Sequence, residues 1–182
     1  MSRAAIAAAA IALCLAVWAA PPPPAGTEEE ELSTALAESS SSLELIRALE
    51  RHLEKFPAAQ RKAEIERALL KAAHEAQDQR RTLLYGERVL AREPEDIQTL
   101  DKVIRALLAR EDRESSTRLL KYARRYEALV TELRKQPTPG KVTAGEWITG
   151  LDRGLGWALA AQARASGNLG RAGEALALAG KS

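Results

Sequence analysis

Short amphipathic runs, each stopped by a breaker, leave this chain few ways to fold. Ile46, Leu49, Leu53 and Phe56 recur at helical spacing, and Pro57 ends their run. A second run from near Arg61 carries Ile65, Leu69, Ala72 and Ala73 on one face, and Gln77-Asp78 marks a short connection. Its partner, from about Arg80 to Arg92, presents Leu84, Tyr85, Val89 and Leu90. Glu93-Pro94-Glu95-Asp96 then breaks the chain and supplies new capping carboxylates. No stretch of useful length alternates as a strand does. Helices this short are marginal alone in water, so each apolar stripe has to be covered by a neighbour. The expected fold is all-α, with antiparallel helix pairs stacked one on the next.

The alternation extends both ways. Glu28 to Glu31 form an acidic run suited to a helix start. Leu32, Ala35 and Leu36 follow as one stripe, and Ser39 to Ser42 as a turn and N-cap. Further along, Ile97, Leu100, Val103, Ile104 and Leu107 predict one helix. Leu119, Leu120, Ala123, Tyr126, Val130 and Leu133 predict a longer one. Pro137, Pro139 and Gly140 place a loop between Lys135 and Thr143. A long helix then runs from Thr143 or Ala144 to Ser166, in spite of Gly145, Gly150, Gly154 and Gly156. Gly167-Asn168 is read as a turn, and Arg171 to Ala179 as a last short helix.

The start of the chain reads differently. Arg3 is the only charge before Glu28, and Ala4 to Ala20 is apolar. That is the pattern of a secretory signal peptide cleaved after Ala19, with an uncleaved N-terminal anchor as the alternative. Ile11 to Cys14 partly resembles the lipobox of bacterial lipoproteins, but Leu13 stands where that motif has Gly, Ala or Ser. Pro21 to Pro24 stiffen a spacer. The expected organisation is a targeting segment over 1–19, a Pro-rich spacer over 20–27 and a helical repeat domain over 28–182. The expected location is periplasmic or extracellular, with membrane contact confined to the N-terminal segment.

Composition narrows the chemistry. Lys and Arg number 27 against 25 Asp and Glu, which gives nucleic-acid binding little support. One cysteine excludes an internal disulfide framework, a CxxC pair and a cysteine-rich zinc site. His52 and His74 lack metal-ligand spacing. Gly180-Lys181-Ser182 superficially resembles the end of a phosphate-binding loop, but Ala175 stands where the leading glycine is needed. Glu50 and Glu54 share a helix with Arg51 and Lys55 and are expected to make surface ion pairs there. No catalytic residue, metal or cofactor is expected. The residues singled out for a partner are Arg118, Lys121, Tyr122 and Arg125 in a basic cluster that also holds Arg124 and Tyr126. Trp147 and Trp157 are added, about 15 Å apart along one helix and about 80° apart around it.

The pairing resembles the tetratricopeptide repeat family, whose unit is two antiparallel helices in roughly 34 residues. Leu159-Ala160, Ala163, Gly167, Ala172, Leu176 and Ala179 carry the strongest match, with Gly167 at the family's turn. A second unit from Ala63 matches at Leu69, Val89 and Pro94. Thr82 replaces its small alanine and Gly86 its large aromatic, with Tyr85 adjacent. A third unit from Ile97 places Ser116, Leu120 and Ala123 on its second helix. Pro57 and Pro94 take the terminal-proline position, 37 residues apart. The pattern is also similar to the helical N-terminal region of exported bacterial proteins that continue into a thioredoxin-like domain.

These resemblances imply a short right-handed solenoid and a non-catalytic module that binds a protein or acidic peptide on its concave surface. The alternative they imply is a structural or dimerising spacer in a larger envelope protein, such as a thioredoxin-like reductase whose catalytic domain is absent. Leu176-Ala177-Leu178-Ala179 is a poor polar cap. The expectation there is a chain cut before its natural end, or self-association through this helix.

Overall fold

The computed structural model describes residues 25–181. Eight helices occur among them: α1 (Ala25–Glu38), α2 (Ser42–Lys55), α3 (Lys62–Glu75), α4 (Gln79–Arg92), α5 (Ile97–Leu108), α6 (Arg113–Leu133), α7 (Ala144–Asn168) and α8 (Ala172–Ala179). No strand occurs among the described residues, and each helix packs chiefly on its neighbours in sequence. The all-α expectation holds. The targeting segment 1–19 and residues 20–24 of the spacer lie outside the described residues. Residues 25–27, assigned to the spacer from sequence, form the first turn of α1 instead. No helix among the described residues is long and apolar enough to cross a membrane.

Helix starts follow from short polar side chains. Ser41 Oγ accepts the Glu44 N–H, Asp78 accepts the Arg81 N–H, and Asp112 accepts the Ser115 N–H at 2.8 Å. Asp96 accepts both the Gln98 and Thr99 N–H groups. Each fills a donor that the first turn leaves open. Thr143 and Glu146 cap each other reciprocally and start α7 ahead of its glycines. Gly154 faces Tyr126 and Val130 of α6, where a Cβ would make ordinary contact at 3.5 Å.

Two helix ends use the same left-handed device. After α3, Gln77 takes φ 57°, its N–H meets the His74 carbonyl, and the Asp78 N–H meets the Ala73 carbonyl at 2.9 Å. After α7, Gly170 takes φ 77°, and the Arg171 N–H meets the Ser166 carbonyl at 2.8 Å. This corrects the turn read at Gly167-Asn168. Both residues are helical, because Gly170 is the position whose backbone must turn left-handed. The family match at Gly167 therefore falls inside the helix. At the first site Gln77 bears a Cβ cost that Gly170 avoids. Gln77→Gly is expected to raise the unfolding free energy by about 0.5 kcal/mol after loss of its side-chain bond to His74, read from urea denaturation.

The core forms two clusters that share α4. Tyr85 and Val89 join Leu32, Ile46, Leu49, Phe56, Ile65 and Leu69. Leu83 and Leu90 join Leu100, Ile104, Leu107, Leu119, Leu120 and Ala165. With both sides of α4 covered, its apolar face is wider than one stripe. Leu83 is buried, and Leu84, read from sequence as core, is exposed. Leu36 is also exposed rather than part of the α1 stripe. Gly86 sits where α4 and α5 come closest: a Cβ would overlap the Val103 methyl.

Candidate functional site

The basic cluster on α6 is partly spent on holding helices together. Glu87 of α4 accepts from Arg118 Nε at 3.0 Å and from the Tyr122 hydroxyl at 2.9 Å, with Arg118 Nη2 on its second oxygen. One repeat earlier, Glu50 of α2 accepts from Arg81 Nε at 2.8 Å, Arg81 Nη2 at 3.0 Å and the Tyr85 hydroxyl at 2.9 Å. Each member of the second triad lies 37 residues beyond its counterpart, the spacing of Pro57 and Pro94. These are inter-helix rungs joining α2 to α4 and α4 to α6. The next position, Arg124, pairs with Glu174 of α8 at 2.6 Å, a rung of reversed charge. Glu50 thus finds its partners on α4, and Lys55 pairs with Glu31 of α1, so neither makes the local pair expected from sequence.

The electrostatics follow from these contacts. The hydrogen bond from Arg81 holds the Glu50 carboxyl below its ordinary range against the opposing effect of burial. Burial, then the bond to a carboxylate, pushes Tyr85 and Tyr122 up to about 12. A raised phenol pKa contributes stability that is complete below the unfolded value of about 10 and is lost as pH rises through 12. Phenolate absorbance from these two residues is therefore expected near pH 12 in the native chain and near pH 10 in denaturant. Native titration of both near pH 10 would contradict the rungs.

Of the remaining residues singled out from sequence, Lys121 is exposed with Nζ 5.6 Å from the Tyr122 ring centre, and Arg125 is exposed nearby. Trp157 packs half-buried on the second core cluster, with the Arg105 guanidinium of α5 4.6 Å from its ring centre. Trp147 is half-buried near the start of α7. The structure thus brings Arg118 and Tyr122 together on Glu87 and gives Trp157 a different cation.

A groove runs along α3 and α5. Its first part, about 620 Å³, is lined by Ala63, Arg67, Lys71, Glu93, Gln98 and Lys102 among others. The second part, about 470 Å³, is lined by His74, Gln77, Asp101, Lys102 and Arg105. Most of its charges are answered locally. Arg67 pairs with Glu93, and Arg105 with Asp101 at 2.8 Å. Asp96 is held by Thr99 and the α5 N-terminus. Lys71 lies 4.0 Å from the Glu75 carboxylate, and Lys102 reaches only the Gln98 carbonyl of its own helix at 3.4 Å.

No protein-family model matches this chain, and no curated protein does either. Sequence reasoning passed over Lys71, Lys102 and Arg105, and weighed His74 as a metal ligand. The available signal was their i, i+3 spacing on two helices, but only the packing shows that the two pairs border one groove.

Proposed function

We propose that this chain is a non-catalytic module of an exported protein, built as a short tetratricopeptide-like solenoid that binds an acidic peptide or protein segment. The observation that carries this reading is the α3–α5 groove, where Lys71 is held only loosely by Glu75 at 4.0 Å and Lys102 pairs with no carboxylate among the described residues. From Ala63 to His74 it extends about 17 Å, the length of roughly five extended residues. Lys71 and Lys102 both line this groove, and their ammonium groups suit carboxylates on an extended strand. The α6 face is the weaker site, because Arg118 and Tyr122 would have to leave Glu87 to serve a ligand.

A labelled glutamate-rich heptapeptide tests the reading by fluorescence anisotropy. Lys71→Glu with Lys102→Glu is expected to weaken binding at least about tenfold, or 1.4 kcal/mol. Lys121→Glu with Arg125→Glu is expected to change it less than about twofold. The opposite pattern moves the site to α6, and equal binding of a lysine-rich peptide rejects the acidic-ligand reading.

A second reading, a structural or dimerising spacer of a larger envelope protein, is supported by α8. That helix buries none of its residues, and Leu176 is 75% exposed. Sedimentation of wild type against Leu176→Glu tests it, a concentration-dependent dimer lost in the variant being the supporting result.

A further inference from the structure

Like α8, which buries none of its residues, α1 is lightly held among the described residues. Among its described side chains only Leu32 is buried, inserted into the cluster with Ile46, Leu49 and Phe56. Around it are two ion pairs and one carboxylate–imidazole approach. Glu31 bonds Lys55 Nζ through both oxygens at 2.6 and 2.7 Å, Glu29 meets Arg61 at 2.7 Å, and Glu28 lies 3.9 Å from His52 Nε2. The Glu31–Lys55 and Glu29–Arg61 pairs are exposed, and such pairs contribute little each and are screened by salt. An open surface cleft of about 180 Å³ borders the contact, lined by Glu31, Ala35, Ala48, Arg51, His52 and Lys55. His52 is 5% exposed, and its Nε2 has no hydrogen-bond partner among the described residues.

A covered ring nitrogen without a partner is costly, and a helix with one buried side chain is weakly held. The occupant that suits this surface can be read from α1 itself: a helix with carboxylates in the turn before a leucine, complementary to His52, Lys55 and Arg61. We propose that the α2–α3 surface beneath α1 is a docking site for an acidic amphipathic helix of a partner protein, which displaces α1 from it. A partner gains over α1 by placing an oxygen within reach of His52 Nε2 and a larger apolar side chain in the bordering cleft. This surface is separate from the α3–α5 groove and shares none of its lysines.

The test uses the full chain and a fluorescein-labelled peptide of residues 27–39 as probe. Leu32→Asp frees the site by undocking the resident helix, and it is expected to bind the probe about tenfold more tightly than wild type. Adding Lys55→Glu and Arg61→Glu removes that gain, whereas Lys71→Glu with Lys102→Glu leaves it intact. Hydrogen exchange on the wild-type chain supplies a readout that needs no variant. Excess peptide is expected to strip protection from α1 amides while α3 to α5 keep theirs. Equal affinity of wild type and Leu32→Asp, binding that survives reversal of Lys55 and Arg61, or unchanged α1 protection at saturating peptide would each overturn the proposal.

Discussion

Gly86→Leu is expected to lower the unfolding free energy by about 3 kcal/mol, measured by urea denaturation with the slope unchanged. Gly86 lies on α4 against Val103 of α5, with Leu70 of α3 and Thr99 of α5 next nearest. Val103, Leu70 and Thr99 are all buried, so a side chain placed there has no solvent to move into. Gly86→Ala separates two terms. Alanine gains about 1 kcal/mol of helix propensity, but its methyl still overlaps Val103, so a net loss of about 1 kcal/mol is expected. Val103→Ala costs about 2 kcal/mol alone by opening a cavity. Combined with Gly86→Ala, part of that space is refilled, and the two changes couple favourably by at least about 1 kcal/mol. A neutral Gly86→Leu would mean that α4 and α5 do not approach this closely. The same contact explains why a glycine stands where the resembled repeat family places a bulky aromatic. Tyr85, one residue earlier, is buried in the first core cluster and donates to Glu50 of α2.

What was legible in the sequence was whatever depends on nearby residues. Pro57, Pro94 and the Pro137–Gly140 loop fix where helices stop, and Ser41, Asp78, Asp96 and Thr143 fix where they restart, whereas the α6 cap Asp112 was not read as one. These signals act through bonds within a few residues, and the observed boundaries follow them closely. The misreadings have a different origin. Leu83 and Leu84 are 100° apart on a helix covered from two sides, so periodicity alone does not say which one faces outward. Gly167 and Gly170 are both plausible helix ends by composition, and only the backbone shows which turns left-handed. The Glu50–Arg81 bond spans 31 residues and leaves no local trace. Its sequence signature is recurrence: Glu, Arg and Tyr return together 37 residues later. The α3–α5 groove was the least legible feature, because it depends on which faces remain open after every helix has found its neighbour.

Glu87→Ala is expected to cost about 2 kcal/mol, although it removes only a half-buried side chain. The loss comes from what is left behind: the Arg118 guanidinium and the Tyr122 hydroxyl both lose their acceptor on α4. Arg118 and Glu87 side chains are each 29% exposed, which places the cost below that of breaking a fully buried pair. A cycle with Arg118→Met separates the partners. If the ion pair carries the effect, the double variant is less destabilised than the sum of the single ones, with coupling of about 1 kcal/mol. Tyr122 supplies an independent readout. Burial is the main cause of its elevated pKa, and Glu87 is the next. Glu87→Ala should therefore bring Tyr122 titration down from about 12 while leaving Tyr85 near 12. Glu50→Ala should do the reverse, lowering Tyr85 alone. Equal movement of both tyrosines in either variant would indicate general loosening, whereas the rung geometry requires each carboxylate to act on the tyrosine of the following unit.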